Sequence, residues 1–173
     1  MLFLGHSTAG KSTLARKMGE QVPVLADDSV YAARDAEGLW RVVDGGFRFD
    51  QGWGMAEWMT DVRRHFQEGR GVPVRKCFRI HQAPAVRIEP MPPVQLGKHL
   101  MDAAMEIDVQ RKFGRIAADR PSERNVWQEV VQQRRLWFRL TAELARSCPG
   151  GHLWFAKETP ASEVLAAVAQ TQG

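Results

Sequence analysis

The chain has 173 residues, of which 44% are apolar and 25% are charged, and its formal net charge is +4. This size and composition suit a single globular domain over residues 1–173. No apolar run approaches the ~18 residues of a transmembrane helix, and the basic residues form no single block, so we expect a cytoplasmic protein that binds neither membranes nor nucleic acid.

The first predicted element is a short apolar strand, Met1 to Leu4, and the most specific motif of the chain follows it. Residues 5–12 read GHSTAGKS, the G-x-x-x-x-G-K-S pattern of a phosphate-binding loop, and a helix is predicted to continue from Thr13. The two glycines let backbone N–H groups turn towards phosphate oxygens, and the helix N-terminus adds a partial positive charge. Lys11 can then reach the β- and γ-phosphates, and the Ser12 hydroxyl can join the coordination shell of Mg²⁺. The predicted nucleotide-binding residues are Gly5, His6, Ser7, Thr8, Ala9, Gly10, Lys11, Ser12 and Thr13.

A second buried strand is predicted over Val22–Ala26, and two carboxylates, Asp27 and Asp28, follow it. In a β-α-β crossover both strands are parallel, so their carboxyl ends lie at one edge of the sheet. Neighbouring strands would place these carboxylates beside the phosphates. One could then bind Mg²⁺ while the other accepts the proton of an attacking hydroxyl. The alternatives are that one aspartate only caps a turn, or that both are structural. No clear later strand ends in an acid, which argues against GTPases and motor ATPases and favours a kinase.

The remaining elements are predicted in the order of a hairpin, a helix, two strands, two long helices, a short strand and a final helix. The predicted ranges are 29–34 with 39–43, 55–66, 72–80 with 85–88, helices on either side of 120–122, 152–156, and a helix capped by Thr159 with Pro160 in its first position. A strand-helix-strand unit, a β-rich middle and further helices predict an α/β fold with helices packed on a sheet.

Several other side chains are weaker candidates. Three cations on a predicted strand could bind the acceptor or the γ-phosphate, although a solvated strand face explains them equally well: Arg75, Lys76 and Arg79. The ring of His6 is expected to face outward from the loop. Three histidines have no metal-site spacing and are interpreted as structural: His81, His99 and His152. Two cysteines without zinc-site spacing predict buried, reduced thiols: Cys77 and Cys148.

The segment from Leu2 to about Asp44 resembles the C-terminal catalytic domain of HPr kinase/phosphorylase and its smaller relatives. The nucleotide site of that family is in turn similar to that of phosphoenolpyruvate carboxykinase. The matching residues are 5–15 and 24–30, with weaker similarity at 78–83 and 152–155. The resemblance implies an α/β fold with a P-loop and a mixed sheet flanked by helices, and it implies ATP and Mg²⁺ as cofactors. It further implies that Asp27 deprotonates a serine-like hydroxyl, that Lys11 stabilises the transferred phosphate, and that Mg²⁺ is bound by Ser12 with support from Asp28.

The sequence departs from that family in three features. The family has a catalytic histidine on strands before the phosphate loop, a metal-binding glutamate in a Glu-Ile-Arg-Gly-type segment, and a Pro-Val-Arg-Pro-Gly-Arg-type segment tied to dephosphorylation. None of these is evident in the sequence. We therefore expect an ATP- and Mg²⁺-dependent kinase that acts only in the forward direction, on a hydroxyl of a peptide, a protein or a small metabolite.

Two alternatives stay open. One is a small-metabolite kinase of the shikimate or gluconate type, which also carries a phosphate loop followed by an early acid. The other is a nucleotide-binding regulatory protein without turnover. The sequence does not select the acceptor, and it does not decide whether the chain forms a homo-oligomer.

Overall fold

The computed structural model describes residues 1–6, 8–26, 29–45, 60, 63–108 and 124–171. In this part of the chain the strands are β1 (Leu2–Leu4), β2 (Val30–Arg34), β3 (Trp40–Asp44), β4 (Val72–Pro73), β5 (Cys77–Gln82), β6 (Arg87–Met91) and β7 (Gly150–Phe155). The helices are α1 (Lys11–Gly19), α2 (Pro93–Asp108), α3 (Arg124–Ser147) and α4 (Ala161–Gln170). Residues 63–67 are also helical.

The strands form two sheets. The main sheet has the order β1-β5-β7-β6, in which β1, β5 and β7 are parallel and β6 is antiparallel to β7. The small sheet has the order β2-β3-β4 and is antiparallel throughout. The prediction of an α/β fold with a mixed sheet flanked by helices is therefore confirmed.

The two faces of the main sheet carry separate hydrophobic clusters, because side chains alternate along each strand. One face, which we call the α1 face, packs against α1 and α4 through Phe78, Ile80 and Leu153. The opposite face, which we call the α2 face, packs against α2, α3 and the small sheet through Leu4, Cys77 and Met91. The main sheet is thus covered by helices on both sides, as expected of a sheet with parallel strands.

Some local predictions are confirmed and others are wrong. The hairpin is confirmed, since Val30 pairs with Asp44 and Arg34 with Trp40. The strand predicted over residues 72–80 is instead divided between the two sheets, as β4 and β5. Thr159 does not cap α4: its hydroxyl accepts a hydrogen bond from the Ala156 N–H at 3.0 Å, and Pro160 is the N-cap.

The strand predicted over residues 22–26 is wrong, and this error changes the topology. These residues form turns and irregular backbone after α1. Val24 and Leu25 are 41% and 40% exposed, so they do not belong to a buried strand. Pro23 has no N–H to donate to a ladder, and β1 pairs with the more distant β5.

Cys77 and Cys148 are free and buried, as predicted. A hydrogen bond to Cys148, together with burial, raises the pKa of the Cys77 thiol. Cys148 in turn donates to the Val74 carbonyl at 3.4 Å. Both side chains therefore belong to the core beneath α2 and α3. In the described part of the chain, no helix is long and apolar enough to cross a membrane.

The packing of α2 on the sheet can be tested with two substitutions on that helix. Leu96 is fully buried, whereas Val94 is 87% exposed. We expect Leu96→Ala to lower the free energy of unfolding by about 2–5 kcal/mol, because it leaves a cavity against Gly150 on β7. Val94→Ala should change it by less than about 0.5 kcal/mol. Urea denaturation measures both, and equal effects would show that α2 does not pack through Leu96.

Candidate functional site

A glycine-rich loop connects the end of β1 to the first turn of α1, and we call residues 5–10 the glycine loop. Its end is fixed by Gly10, which has φ +94° and is the N-cap of α1. That conformation is costly for residues with a Cβ. The Ala9 N–H donates to the His6 carbonyl at 3.0 Å, and the Leu14 N–H donates to the Gly10 carbonyl at 2.9 Å. The chain therefore reverses direction between the strand and the helix within a few residues.

Among the described residues, no side chain caps the N-terminus of α1. The first N–H groups of an α-helix have no partner within the helix, so an uncapped N-terminus offers donors and a partial positive charge to an anion. The first turn also contains no acidic residue that would compete for those donors. This end of α1 therefore suits an anion such as phosphate.

Lys11 lies across the glycine loop. Its Nζ atom donates to the carbonyl of Gly5 at 2.8 Å and to that of His6 at 3.0 Å. A lysine ammonium has three N–H donors, so one is left for a further acceptor. The side chain thus holds its positive charge over the same backbone segment that carries the uncapped helix end.

The main sheet supports the glycine loop from one side. A Cβ added at Gly5 would lie 2.9 Å from Ile80 Cγ1 and 2.8 Å from Ala9 Cβ, so only glycine allows this approach to β5. The Gln82 amide donates to the Thr8 carbonyl at 3.2 Å. Gln82 was not among the predicted site residues, because its contact with the loop depends on the pairing of β5 with β1.

Two of the predicted site residues in the loop region have a clear position. His6 is exposed, as expected, and its Nδ1 atom lies 3.7 Å from a Glu106 carboxylate oxygen on α2. Ser12 is exposed on the first turn of α1. Thr8, Ala9, Gly10 and Thr13 belong to the same loop and helix start, whereas Ser7 lies outside the described residues.

Asp27 and Asp28, the predicted base and metal-binding carboxylate, also lie outside the described residues. The residues on either side of them are described. Ala26 ends the irregular segment after α1, and the buried Ser29 leads into β2 of the small sheet. The predicted β-α-β crossover, which would have placed both carboxylates beside the loop, is therefore wrong. The roles of Asp27 and Asp28 stay predictions.

Arg75, Lys76 and Arg79, the three candidate cations for binding the acceptor or the γ-phosphate, do not lie together in the structure. Lys76 donates to the carbonyls of Val168 and Thr171 at the end of α4, where a positive charge also complements the helix dipole. Lys76 and Arg75 precede β5, so they lie at the opposite edge of the sheet from the loop. Arg79 lies towards the loop, because its Cα pairs with that of Leu4, the last residue of β1.

Three histidines that were interpreted as structural converge beside Arg79. We call His81, His99 and His152 the histidine cluster. His81 Nε2 and His152 Nδ1 are 2.9 Å apart, so one nitrogen donates a hydrogen bond to the other. The rings of His99 and His152 meet edge to face with centroids 6.1 Å apart. The His81 ring stacks on Trp154, which also carries the Arg87 guanidinium at 4.1 Å from its ring centre.

Burial and the surrounding charges disfavour protonation of two rings in the histidine cluster, those of His81 and His99. Partial burial lowers the pKa of His81, and the charges of His152, Arg79, His99 and Arg87 lower it further. Burial also lowers the pKa of His99, helped by Arg79 and opposed by Asp102. Both rings are therefore neutral at pH 7 and able to donate or accept hydrogen bonds.

The described residues do not provide a protein-only metal site. No group of His, Cys, Asp or Glu side chains among them is arranged to hold a metal ion. In the histidine cluster, the facing nitrogens of His81 and His152 already bond to each other. The Ser12 hydroxyl is an oxygen ligand of the kind that Mg²⁺ prefers, and Mg²⁺ commonly takes its other ligands from phosphates and water. The residues present thus fit a Mg²⁺ ion that arrives with a nucleotide.

Comparison of this chain with protein-family models, with curated proteins and with solved structures gives no match. We therefore infer the function from the motif and from the geometry of the loop and the sheet edge.

The lowered pKa values of His81 and His99 predict a pH-dependent stability. The unfolded chain binds more protons than the folded one once the pH falls below the ordinary histidine pKa of 6.5. Stability should therefore be full above that pH and should decline as the pH falls below it. We expect the urea midpoint of the wild type to fall more between about pH 8 and about pH 5 than that of the His81→Gln/His99→Gln double variant. Identical declines in both proteins would contradict the assignment.

Proposed function

We propose that this protein is an ATP- and Mg²⁺-dependent phosphotransferase that phosphorylates a hydroxyl group. The observation that carries the proposal is the glycine loop with Lys11. A G-x-x-x-x-G-K-S sequence lies between β1 and the start of α1, which no described side chain caps, and the lysine ammonium lies over the loop backbone. A triphosphate needs this combination of backbone donors, helix dipole and lysine charge. The resemblance to HPr kinase/phosphorylase is consistent with the same function and is part of the proposal.

In the proposed reaction the acceptor oxygen bonds to the γ-phosphorus, the bond to the β,γ-bridging oxygen breaks, and ADP leaves. Lys11 exchanges a loop carbonyl for a phosphate oxygen and balances the charge that develops during transfer. The Ser12 hydroxyl and Asp28 would hold a Mg²⁺ ion, which would supply charge neutralisation at the phosphates. Asp27 is the proposed acceptor of the hydroxyl proton. The chain contributes positioning and charge compensation, which are the main requirements of phosphoryl transfer.

One observation favours a nucleotide-binding protein without turnover as the second candidate. The strand that would deliver Asp27 and Asp28 to the carboxyl edge of the main sheet is absent from residues 22–26. A binder needs only the glycine loop, whereas a kinase also needs a base near the acceptor. ATP consumption in the presence and absence of hydroxyl acceptors separates the two candidates.

Nucleotide binding is tested by removing the lysine charge. Lys11→Ala should weaken Mg²⁺-ATP binding by roughly 10- to 150-fold, since one charge-assisted contact contributes about 1.5–3 kcal/mol. Lys157→Ala removes an equal charge from an exposed residue before α4 and should bind as the wild type does. Titration calorimetry measures all three proteins. The proposal is wrong if the wild type binds no nucleotide at millimolar concentration, or if both variants bind equally well.

The assignment of Asp27 is tested separately from binding. Asp27→Asn should keep the ATP affinity within a few-fold and lower phosphoryl transfer by roughly 10²- to 10⁴-fold, because a general base contributes that much. Asp28→Asn should instead shift the Mg²⁺ concentration that gives half-maximal rate. Equal and mild effects of both substitutions on the transfer rate would refute this division of roles.

A further inference from the structure

The α2 face of the main sheet changes character along its strands. Near the amino ends of β5 and β7 this face is apolar. Cys77 of β5 and Met91, which pairs with the first residue of β7, lie there in the core beneath the helices. Towards the carboxyl ends of β5 and β7 the same face carries polar side chains that remain partly open to solvent: Arg79, His81, His152 and Trp154. In open α/β sheets, ligands bind outside the carboxyl ends of the parallel strands. This polar half is therefore in the position of a ligand site, next to the glycine loop.

Helix α2 adds a second wall. Gln95, His99, Asp102 and Glu106 recur at intervals of four, three and four residues, which places them along one side of the helix. The first of them reaches the sheet, since Gln95 Nε2 lies 3.2 Å from His152 Nε2. The last reaches the loop, through the contact of Glu106 with His6. The stripe thus runs beside the polar half of the α2 face, from β7 to the glycine loop.

The charges on these walls leave one cation without a carboxylate partner among the described residues. Arg87 pairs with Glu89 at 3.2 Å, and His6 pairs with Glu106. The Arg79 side chain makes no ion pair or hydrogen bond within the described part of the chain. Its guanidinium lies close enough to lower the pKa of both His81 and His99. In the part of the chain that the structure describes, this surface therefore presents one free positive charge, flanked by imidazole N–H donors, which suits a ligand group with one negative charge.

We propose that Arg79 and the histidine cluster bind the carboxylate of the phosphoryl acceptor, so that the acceptor is a small hydroxy acid. This inference rests on the proposed function for its hydroxyl group and for the role of the glycine loop. A guanidinium binds a carboxylate through paired hydrogen bonds, and neutral imidazoles at its side donate further ones. A phosphate dianion is a poorer fit, because its second negative charge would have no free cation among the described residues of these walls, which also carry Asp102, Glu106 and Glu89.

The spacing of the strands sets the size of the acceptor. The glycine loop leaves the end of β1, Arg79 and His81 lie on the next strand, and His152 lies on the strand beyond. Neighbouring strands are about 4.8 Å apart, so two spacings span roughly 10 Å. A molecule with a hydroxyl and a carboxylate separated by a few carbon atoms can reach from the histidine cluster to a phosphate in the loop.

The test uses glycerate as the probe and the ring resonances of His81, His99 and His152 as the NMR readout. Millimolar glycerate should shift these resonances, whereas glycerol, which lacks the carboxylate, should not. Arg79→Gln should weaken the glycerate effect by at least about tenfold, as expected for loss of a charged hydrogen-bond partner. Arg75→Gln is the matched control, since it removes an exposed arginine that precedes β5, at the opposite edge of the sheet from the loop, and it should bind glycerate as the wild type does.

Three results would overturn the inference: unmoved histidine resonances in the wild type, an equal response to glycerol, or undiminished binding in Arg79→Gln. Tighter binding of inorganic phosphate than of glycerate would also overturn it, by assigning the site to a phosphate group. Calorimetry with Mg²⁺-ATP on the same samples keeps the two proposals apart. Nucleotide binding without a glycerate response rejects the hydroxy acid and leaves the kinase, whereas a glycerate response without nucleotide binding rejects the kinase.

Discussion

The parallel pairing of β1, β5 and β7 is the constraint on which the candidate site depends. Leu2 to Leu4 pair in parallel with Cys77 to Arg79, and β5 pairs in parallel with all of β7. This register directs three strand ends to one edge of the main sheet. It places Gly5 against Ile80, Gln82 against the Thr8 carbonyl, and His81 against His152. A shift of one residue in β5 would turn Ile80 away from the loop and His81 away from His152, because neighbouring side chains face opposite sides.

The two faces of the main sheet differ: the α1 face is packed with apolar side chains, whereas part of the α2 face forms the proposed carboxylate site. On the α1 face Ile80 of β5 and Phe155 of β7 belong to the apolar cluster that supports the helix after the glycine loop. On the α2 face the apolar cluster stops halfway and the polar side chains begin. Polar groups are costly to bury without partners, so this half of the face stays open to solvent. The proposed phosphate end and the proposed carboxylate end of the site thus lie at the same edge of the main sheet.

The sequence predicted those parts of the fold that depend on local chemistry. The glycine loop follows β1, the hairpin turns at Asp35, and two long helices follow the β-rich middle. These features depend on glycine conformation, turn residues and helical periodicity, all of which a short window of sequence contains. The strand predicted over residues 22–26 failed because an apolar run becomes a strand only if it has a neighbour. The strand that pairs with β1 is β5, which lies more than seventy residues further along the chain.

The histidine cluster could not be predicted for the same reason. Arg79 and His81, like His152 and Trp154, are two residues apart, which is the spacing of side chains on one face of a strand. That pattern predicts a shared face within each strand. Their meeting depends on the β5–β7 register, and the approach of His99 depends on how α2 crosses the sheet. Neither is encoded in a local pattern, and the wide separation of the histidines favoured the interpretation that they were structural.

The central claim, that residues 5–12 bind the phosphates of a nucleotide, is tested most directly by mapping the site on the backbone. Amide resonances of the uniformly labelled 173-residue chain can be followed while Mg²⁺-ATP is added. We expect the largest shifts on the N–H groups of the glycine loop and the first turn of α1, including Gly10, Lys11 and Ser12. Shifts confined to another part of the chain, or no shifts at saturating nucleotide, would contradict it.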